Sequence, residues 1–181
     1  APTIDEGACP MVDGVGHGTH VAGTAAADGS ATGQGRPAWR FPGGAPAADL
    51  VVVKGGEGSF SAELLLEGVA YIFARAQELG RPAVVNLSLS GSSGPHDGST
   101  ILEQGLNALT GPGRIIVAGA GNDGDHRNTF PVVPNGPKHA QGVGSGSHAV
   151  RIPPFTPLPS ELDGAILELW YDGSDSLSIT V

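Results

Sequence analysis

Apolar positions along the chain fall into two alternating patterns. Three continuous runs rich in valine, isoleucine and leucine predict strands buried on both faces: 49–54, 83–90 and 114–118. Between them, apolar residues at helical spacing predict two helices, over 62–79 and 99–109. Ser59 and Ser61 are the candidate caps of the first helix, and Gly80 ends it. The alternation predicts an α/β fold in which a parallel sheet carries helices on its faces, a three-layer α/β/α architecture.

The pattern changes after about residue 142. Four prolines between 153 and 159 interrupt the chain, and the apolar runs 164–171 and 176–181 then flank the turn sequence Asp-Gly-Ser-Asp at 172–175. This order predicts a β-hairpin, and because a hairpin alone is marginal in water, we expect it to belong to a larger sheet. The predicted domain division is therefore 1–146 and 147–181.

Near the start of the chain, two histidines three residues apart lie among glycines, in the stretch Gly-His-Gly-Thr-His-Val-Ala-Gly-Thr at 16–24. Small residues follow, which predicts a loop that enters a helix over 17–27. Gly16 and Gly18 leave the imidazole of His17 uncrowded. A neutral imidazole titrates near working pH and can take and return a proton, as a general base must. Read alone, the stretch is also compatible with a small-residue helix start that carries two incidental histidines.

The run His-Gly-Thr-His-Val-Ala-Gly-Thr at 17–24 resembles, without a departure, the histidine motif of the subtilisin-like serine proteases, the subtilases. The resemblance implies a subtilisin-like fold in which His17 is the catalytic base and His20 a structural histidine. It further implies a serine endopeptidase that hydrolyses peptide or protein substrates through an acyl-enzyme and needs no catalytic metal or other cofactor.

Asn122 directly follows a predicted buried strand and lies in the glycine-rich run Val-Ala-Gly-Ala-Gly-Asn-Asp-Gly at 117–124. A parallel sheet has its active-site crevice outside the carboxyl ends of its strands, where an amide can donate a hydrogen bond to a developing oxyanion. An asparagine before Asp-Gly is by itself also typical of a turn. The segment resembles the oxyanion-hole segment of the subtilases, which implies that Asn122 is the oxyanion donor.

The end of the second predicted strand also resembles the subtilases, whose corresponding segment pairs with extended substrate. The matching positions are Ser88, Leu89, Ser90 and Gly91. Exposed main-chain groups at such a strand end can bind any peptide backbone, and small side chains leave a slot beside it. Gly119 and Gly121 would form another wall of that slot. Ser90 stands where the family usually has glycine, so we expect it to narrow or polarise the slot; read without the resemblance, this is an ordinary strand end.

The triad acid and the nucleophile have no match. Asp5 and Asp13 precede His17, but neither lies on an Asp-Ser/Thr-Gly turn after a strand, and we expect neither to be the acid. No Gly-Thr-Ser-x-Ala segment occurs, and Ser145 and Ser147 are interpreted as linker residues. We therefore expect an internal piece of a longer protease, in which residues from about 147 begin an inserted β domain. The alternative is an inactive pseudoprotease with a binding or regulatory role.

Composition adds a few limits. A net charge of −9 argues against nucleic acid as a partner, and no apolar run reaches membrane-spanning length. Cys9, the single cysteine, allows no intrachain disulfide. A metal site at His17 and His20 lacks an evident third ligand. Structural calcium is conceivable at Asp123, Asp125 or 172–175, although solvated acidic loops are the favoured interpretation. Extracellular location follows from the resemblance alone, and the sequence does not indicate an oligomeric state.

Overall fold

The computed structural model describes residues 11–56, 61–91, 93–122, 168–176 and 178. Five regular elements occur in these ranges. They are, in chain order, α1 (His17–Ala26), α2 (Ala62–Glu78), β1 (Ala83–Leu87), α3 (Ile101–Leu109) and β2 (Arg114–Ala118). Both ends of α1, α2, α3 and β2 lie within two residues of the predicted bounds. Strand β1 ends three residues earlier than predicted.

Helix α2 has the start and the stop that its sequence predicts. The Ser61 hydroxyl accepts a hydrogen bond from the Leu64 amide at 3.4 Å, so Ser61 rather than Ser59 is the cap that the structure describes. At the other end Gly80 adopts a left-handed conformation, with φ 63°. Its amide donates to Gln77 O and the Arg81 amide donates to Ala76 O, so the last carbonyls of the helix are satisfied as in a Schellman motif.

The hydrophobic core lies where α2 packs against β1. Val69 and Phe73 of α2 and Val85 and Leu87 of β1 form the buried cluster. Partly buried apolar residues from the surrounding elements pack against it: Leu65, Ile72, Ala83, Leu106, Leu109 and Ile116. Burial of this apolar surface stabilises the arrangement of α2, α3 and both strands.

Strands β1 and β2 pair in a parallel, two-stranded sheet with α3 as the crossover between them. The Ala83 amide donates to Gly113 O at 2.8 Å, which fixes the register at the beginning of both strands. Parallel neighbours joined by a helix are the unit of an α/β fold. The predicted fold class is therefore confirmed.

The predicted strand over 49–54 is wrong for this structure. The segment has irregular backbone, and Leu50 and Val52 are 58% and 57% exposed rather than buried on both faces. A strand exists only where a neighbour completes its ladder, and in the described residues β1 and β2 pair only with each other. Side chains at its two ends have partners: Asp49 forms an ion pair with Arg81, and the Lys54 ammonium donates to Val12 O at 2.6 Å.

The described residues form two compact units. One contains the residues up to Ser88 together with Ile101–Val117; the other contains Leu89–Thr100 together with the residues from Ala118 onward. In the second unit the predicted turn at 172–175 is present, because the Asp175 amide donates to Asp172 O at 2.8 Å. Most of the two predicted hairpin runs lies outside the described residues, and 168–171 contains no strand. The β-rich insert is not confirmed, and the boundary at 146/147 stays a prediction.

Candidate active site

His17 is the first residue of α1, as the sequence predicts. Gly16 precedes it in a left-handed conformation with φ 85°, a geometry that favours glycine. The His20 amide donates to Gly16 O at 3.1 Å and closes the first turn of the helix. His17 is exposed in the structure, so a helix start presents its imidazole with a glycine on each side.

Asp13 is bonded to this helix start, a contact that the sequence analysis missed. Its carboxylate accepts hydrogen bonds from the amides of Gly16 and Thr19 and from the Thr19 hydroxyl. These bonds hold the pKa of Asp13 well below its usual range, and the bond from the Thr19 hydroxyl has the largest effect. The available signal was a short acidic side chain a few residues before a glycine-led helix.

The carboxyl end of β1 lies beside α1 in the first unit. Asn86 Nδ2 donates to Ser88 Oγ at 3.0 Å, which orients both polar side chains at this end of the strand. A cavity of about 330 Å³ opens between the strand end and the helix, lined by His20, Val21, Thr24, Ala25, Asn86 and Ser88. His20 thus lines the same cavity as Ser88, the residue that follows β1.

Ser90 and Gly121, predicted as parts of two walls of one slot, are brought together in the second unit. A Cβ placed on Gly121 would lie 2.8 Å from Ser90 Cβ and 3.2 Å from Ser90 Oγ. The backbone of Gly121, with φ 82°, therefore lies directly against the Ser90 side chain. Serine at position 90 takes up space at this contact, and its effect on a substrate slot stays a prediction.

The remaining predicted site residues are exposed and lie outside the helices and strands. Leu89 and Gly91 follow β1, whereas Gly119 and Asn122 follow β2. All four belong to the second unit, whereas His17 and Ser88 belong to the first. Each loop begins at the carboxyl end of a strand, which is where a parallel sheet carries its functional groups.

The acidic candidates have local partners where the structure describes them. Asp13 is occupied by its own helix start, and Asp172 Oδ1 accepts from the amide and the hydroxyl of Ser174 at 2.9 and 2.7 Å. Within the described ranges, no group of three or more histidine, cysteine or acidic side chains is arranged to hold a metal. Candidates that lie outside those ranges are Asp5, Asp123, Asp125, Ser145 and Ser147.

A model of the subtilase family matches residues 7–157, well over half of the chain. The chain belongs to the subtilase family. The match contains the histidine motif, both strand ends and Asn122.

Named relatives of this subtilase chain agree. It is 39% identical over 121 residues to Subtilisin Savinase of Lederbergia lenta, which covers 66% of this chain and 39% of that protein. It is 35% identical over 153 residues to the Major intracellular serine protease of Bacillus subtilis strain 168, covering 82% of this chain and 43% of that protein. The chain thus spans about two fifths of the length of these relatives.

A solved structure supports the fold. The CspB protease of Clostridium perfringens superposes with a TM-score of 0.55 at 30% identity, over 65% of this chain and 25% of that chain. The subtilase fold class is thus seen in coordinates as well as in sequence.

One relative of this subtilase is intracellular by name, so family membership does not decide the compartment. In the described part of the chain, no helix is long and apolar enough to cross a membrane.

Proposed function

We propose that the whole protein is a serine endopeptidase of the subtilisin type and that this chain supplies its general base and oxyanion donor. The observation that carries the proposal is the unbroken histidine motif at the first turn of α1, with His17 exposed at residue one of the helix. A helix start flanked by glycines suits an imidazole that must approach a substrate without steric crowding. Membership of the subtilase family supports the same reaction.

In the proposed mechanism, the nucleophile is a serine in sequence that this chain does not contain. Its hydroxyl attacks the peptide carbonyl while His17 accepts the hydroxyl proton. Asn122 donates a hydrogen bond to the oxyanion of the tetrahedral intermediate. The intermediate collapses to an acyl-enzyme as His17 returns the proton to the leaving amine. Water then attacks the ester while His17 accepts a proton from it, and His17 returns that proton to the serine oxygen as the acid product leaves.

The proposed substrate is a peptide segment in extended conformation. Segment 88–91 would pair with its backbone, and Gly119 and Gly121 would form the facing wall. The contact between Ser90 and Gly121 supports this assignment because it brings the two predicted walls together. Structural calcium and secretion of the whole protein belong to the same proposal and are supported by the family resemblance alone.

The test compares two histidine variants of the whole protein. We expect His17→Ala to lower turnover of a peptide nitroanilide by several orders of magnitude, because this change removes the proposed acceptor of the serine proton. His148→Ala, which changes a histidine outside the motif, is the matched control and should retain turnover. Equal activity in the two variants would end the assignment of His17 as base.

The alternative of an inactive pseudoprotease is not favoured, because a binding fold needs neither His17 nor Asn122. A fluorophosphonate that labels serine nucleophiles separates the two. The whole protein should be labelled and His17→Ala should be labelled far more slowly. A whole protein that is neither labelled nor active supports the pseudoprotease instead.

A further inference from the structure

One aspartate bonds to the backbone on both sides of His17. Asp13 Oδ1 accepts from the amides of Gly16 at 2.7 Å and Val15 at 3.2 Å. Asp13 Oδ2 accepts from the Thr19 amide at 2.7 Å and from the Thr19 hydroxyl at 2.6 Å. We name this arrangement the Asp13 clamp. Because His17 lies between Gly16 and Thr19, a single side chain fixes the backbone before and after it.

The clamp replaces a cap that glycine cannot provide. Gly16 occupies the N-cap position of α1 and has no side chain with which to accept a hydrogen bond. The amides of the first turn have no acceptor within the helix, and Asp13 supplies one to the third of them, Thr19. Glycine at position 16 allows the positive φ at the start of the helix. The hydrogen bonds of Asp13 restrict the backbone freedom that glycine adds there.

We infer that Asp13 is a positioning residue for the general base: it fixes the backbone at His17 and thereby the direction in which the imidazole leaves the helix. The inference rests on the proposed function, in which His17 is that base. Direction matters because proton transfer requires hydrogen-bond geometry, and a displacement of about 1 Å can cost about a hundredfold in rate. Asp13 thus has a role distinct from the triad acid, which it does not resemble in sequence.

The Asp13 side chain is ionised at the pH values at which the inferred base works. Its hydrogen bonds, led by the Thr19 hydroxyl, hold the pKa of Asp13 well below the usual value, so the side chain is a carboxylate wherever a histidine titrates. The negative charge also lies at the positive end of the helix dipole. Both features favour a helix start that does not change its geometry when the histidine gains or loses a proton.

A second aspartate near the same helix provides a matched control. Asp28 accepts from the Ser30 amide at 2.9 Å and from the Ser30 hydroxyl at 2.8 Å, and those bonds lower its pKa in the same sense. Like Asp13 it is exposed, but it lies beyond the other end of α1. Asp28→Ala therefore removes the same kind of contact without touching the backbone around His17.

The first experiment uses the whole protein and needs no activity. In NMR spectra, Asp13→Ala should speed hydrogen exchange of the Thr19 amide on the order of tenfold and should shift the His17 ring signals. Asp28→Ala should leave both readouts as in the wild type. Unchanged Thr19 exchange and unchanged His17 ring signals in Asp13→Ala would overturn the inference.

The second experiment measures steady-state kinetics of the whole protein. Asp13→Ala should lower kcat about ten- to a hundredfold. Its KM and Tm should move no more than those of Asp28→Ala. A kcat equal to that of the wild type, or an equal fall in both variants, would overturn the inference. If the wild type itself has no turnover, the proposed function fails, and the NMR experiment alone decides the role of Asp13.

If Asp13→Ala does not fold, variants of Thr19 test the positioning role of Asp13 instead. Thr19→Ser retains the hydroxyl that donates to Asp13, and Thr19→Val removes it at nearly constant volume. The inference requires that Thr19→Val lowers kcat and shifts the His17 ring signals whereas Thr19→Ser does neither. Identical behaviour of the two variants contradicts it.

Discussion

The side chain of Ser90 occupies the space that a side chain at Gly121 would need. Only 2.8 Å would separate Ser90 Cβ from a Cβ at position 121, closer than non-bonded carbons approach. The two residues follow different strands, so this contact fixes the spacing between the two strand-end loops. The effect on stability of changing the size of either residue should therefore depend on the size of the other.

We expect Gly121→Ala to lower the free energy of unfolding by about 1–3 kcal/mol, because the new methyl group meets Ser90 and the backbone has positive φ. Ser90→Gly should recover part of this loss by removing the contact, and the strain of positive φ remains. Urea unfolding of the two single variants and the double variant measures the coupling. Gly173→Ala, where a Cβ meets nothing within 4 Å, is the control. Strictly additive effects would contradict the contact.

Gly43→Ala should destabilise the end of the histidine helix. A Cβ at position 43 would lie 2.6 Å from the backbone nitrogens of Ala26 and Ala27, and backbone cannot move aside as a flexible side chain can. We expect a loss of about 1–3 kcal/mol in unfolding free energy, measured by thermal or urea denaturation. Gly33→Ala, a glycine with open space around it, should be near neutral. A similar loss in both variants would mean that loss of glycine, and not the close approach, is responsible.

Glu168 should report on acid titration at a specific amide. Its carboxylate accepts from the Gly94 amide at 3.2 Å and from the Ser93 hydroxyl at 3.1 Å, and these bonds, the Gly94 amide first, lower its pKa. Because the pKa of Glu168 is lower in the folded state, its hydrogen bonds contribute their full stability above the ordinary glutamate pKa. This contribution is lost as the pH falls through the lowered pKa. In NMR titrations the Gly94 amide should therefore shift with a midpoint below 4.5, the ordinary glutamate value.

The matched variant for that titration is Glu168→Gln, which keeps the shape and removes the ionisation. The Gly94 shift should then lose this titration step. Asp97, whose pKa is lowered by the hydroxyl and amide of Ser99, lies nearby in sequence, and the variant separates its influence from that of Glu168. An unchanged Gly94 titration in Glu168→Gln would show that another acid is responsible.

Asn122→Ala in the whole protein should lower kcat about 100- to 1,000-fold with little change in KM, because the lost hydrogen bond forms only with the oxyanion. This magnitude is the one known for the loss of an oxyanion-hole donor in subtilisin. Asn122→Asp, which has nearly the same size but lacks the amide donor, should be impaired as well. Steady-state kinetics on a peptide nitroanilide measures both, and a rise in KM at constant kcat would assign Asn122 to ground-state binding instead.

Local signals predicted most of the described fold. The cap at Ser61 and the stop at Gly80 act within a few residues of the helix they bound, so the sequence of α2 contains them in full. The pattern failed at 49–54 because valine-rich sequence specifies a tendency to pair, whereas pairing depends on a neighbour that no local pattern encodes.

The site was predictable to the extent that its residues form contiguous motifs. The predictions for His17 and Asn122 come from such motifs. The bonds between Ser93 and Glu168, which lie 75 residues apart, have no counterpart in any local pattern. Asp13 lies only four residues before His17, but its hydrogen bonds to backbone amides are visible only in three dimensions.

The irregular segment 49–54 also bears on how the chain behaves at high concentration. It combines strong β propensity with exposed Leu50 and Val52, which is the composition of a segment that pairs with its like on another molecule. Mutual repulsion from the net charge of −9 opposes that association and weakens as salt screens it. Samples of this chain should therefore aggregate more readily as ionic strength rises, with intermolecular β-sheet as the form of the aggregate.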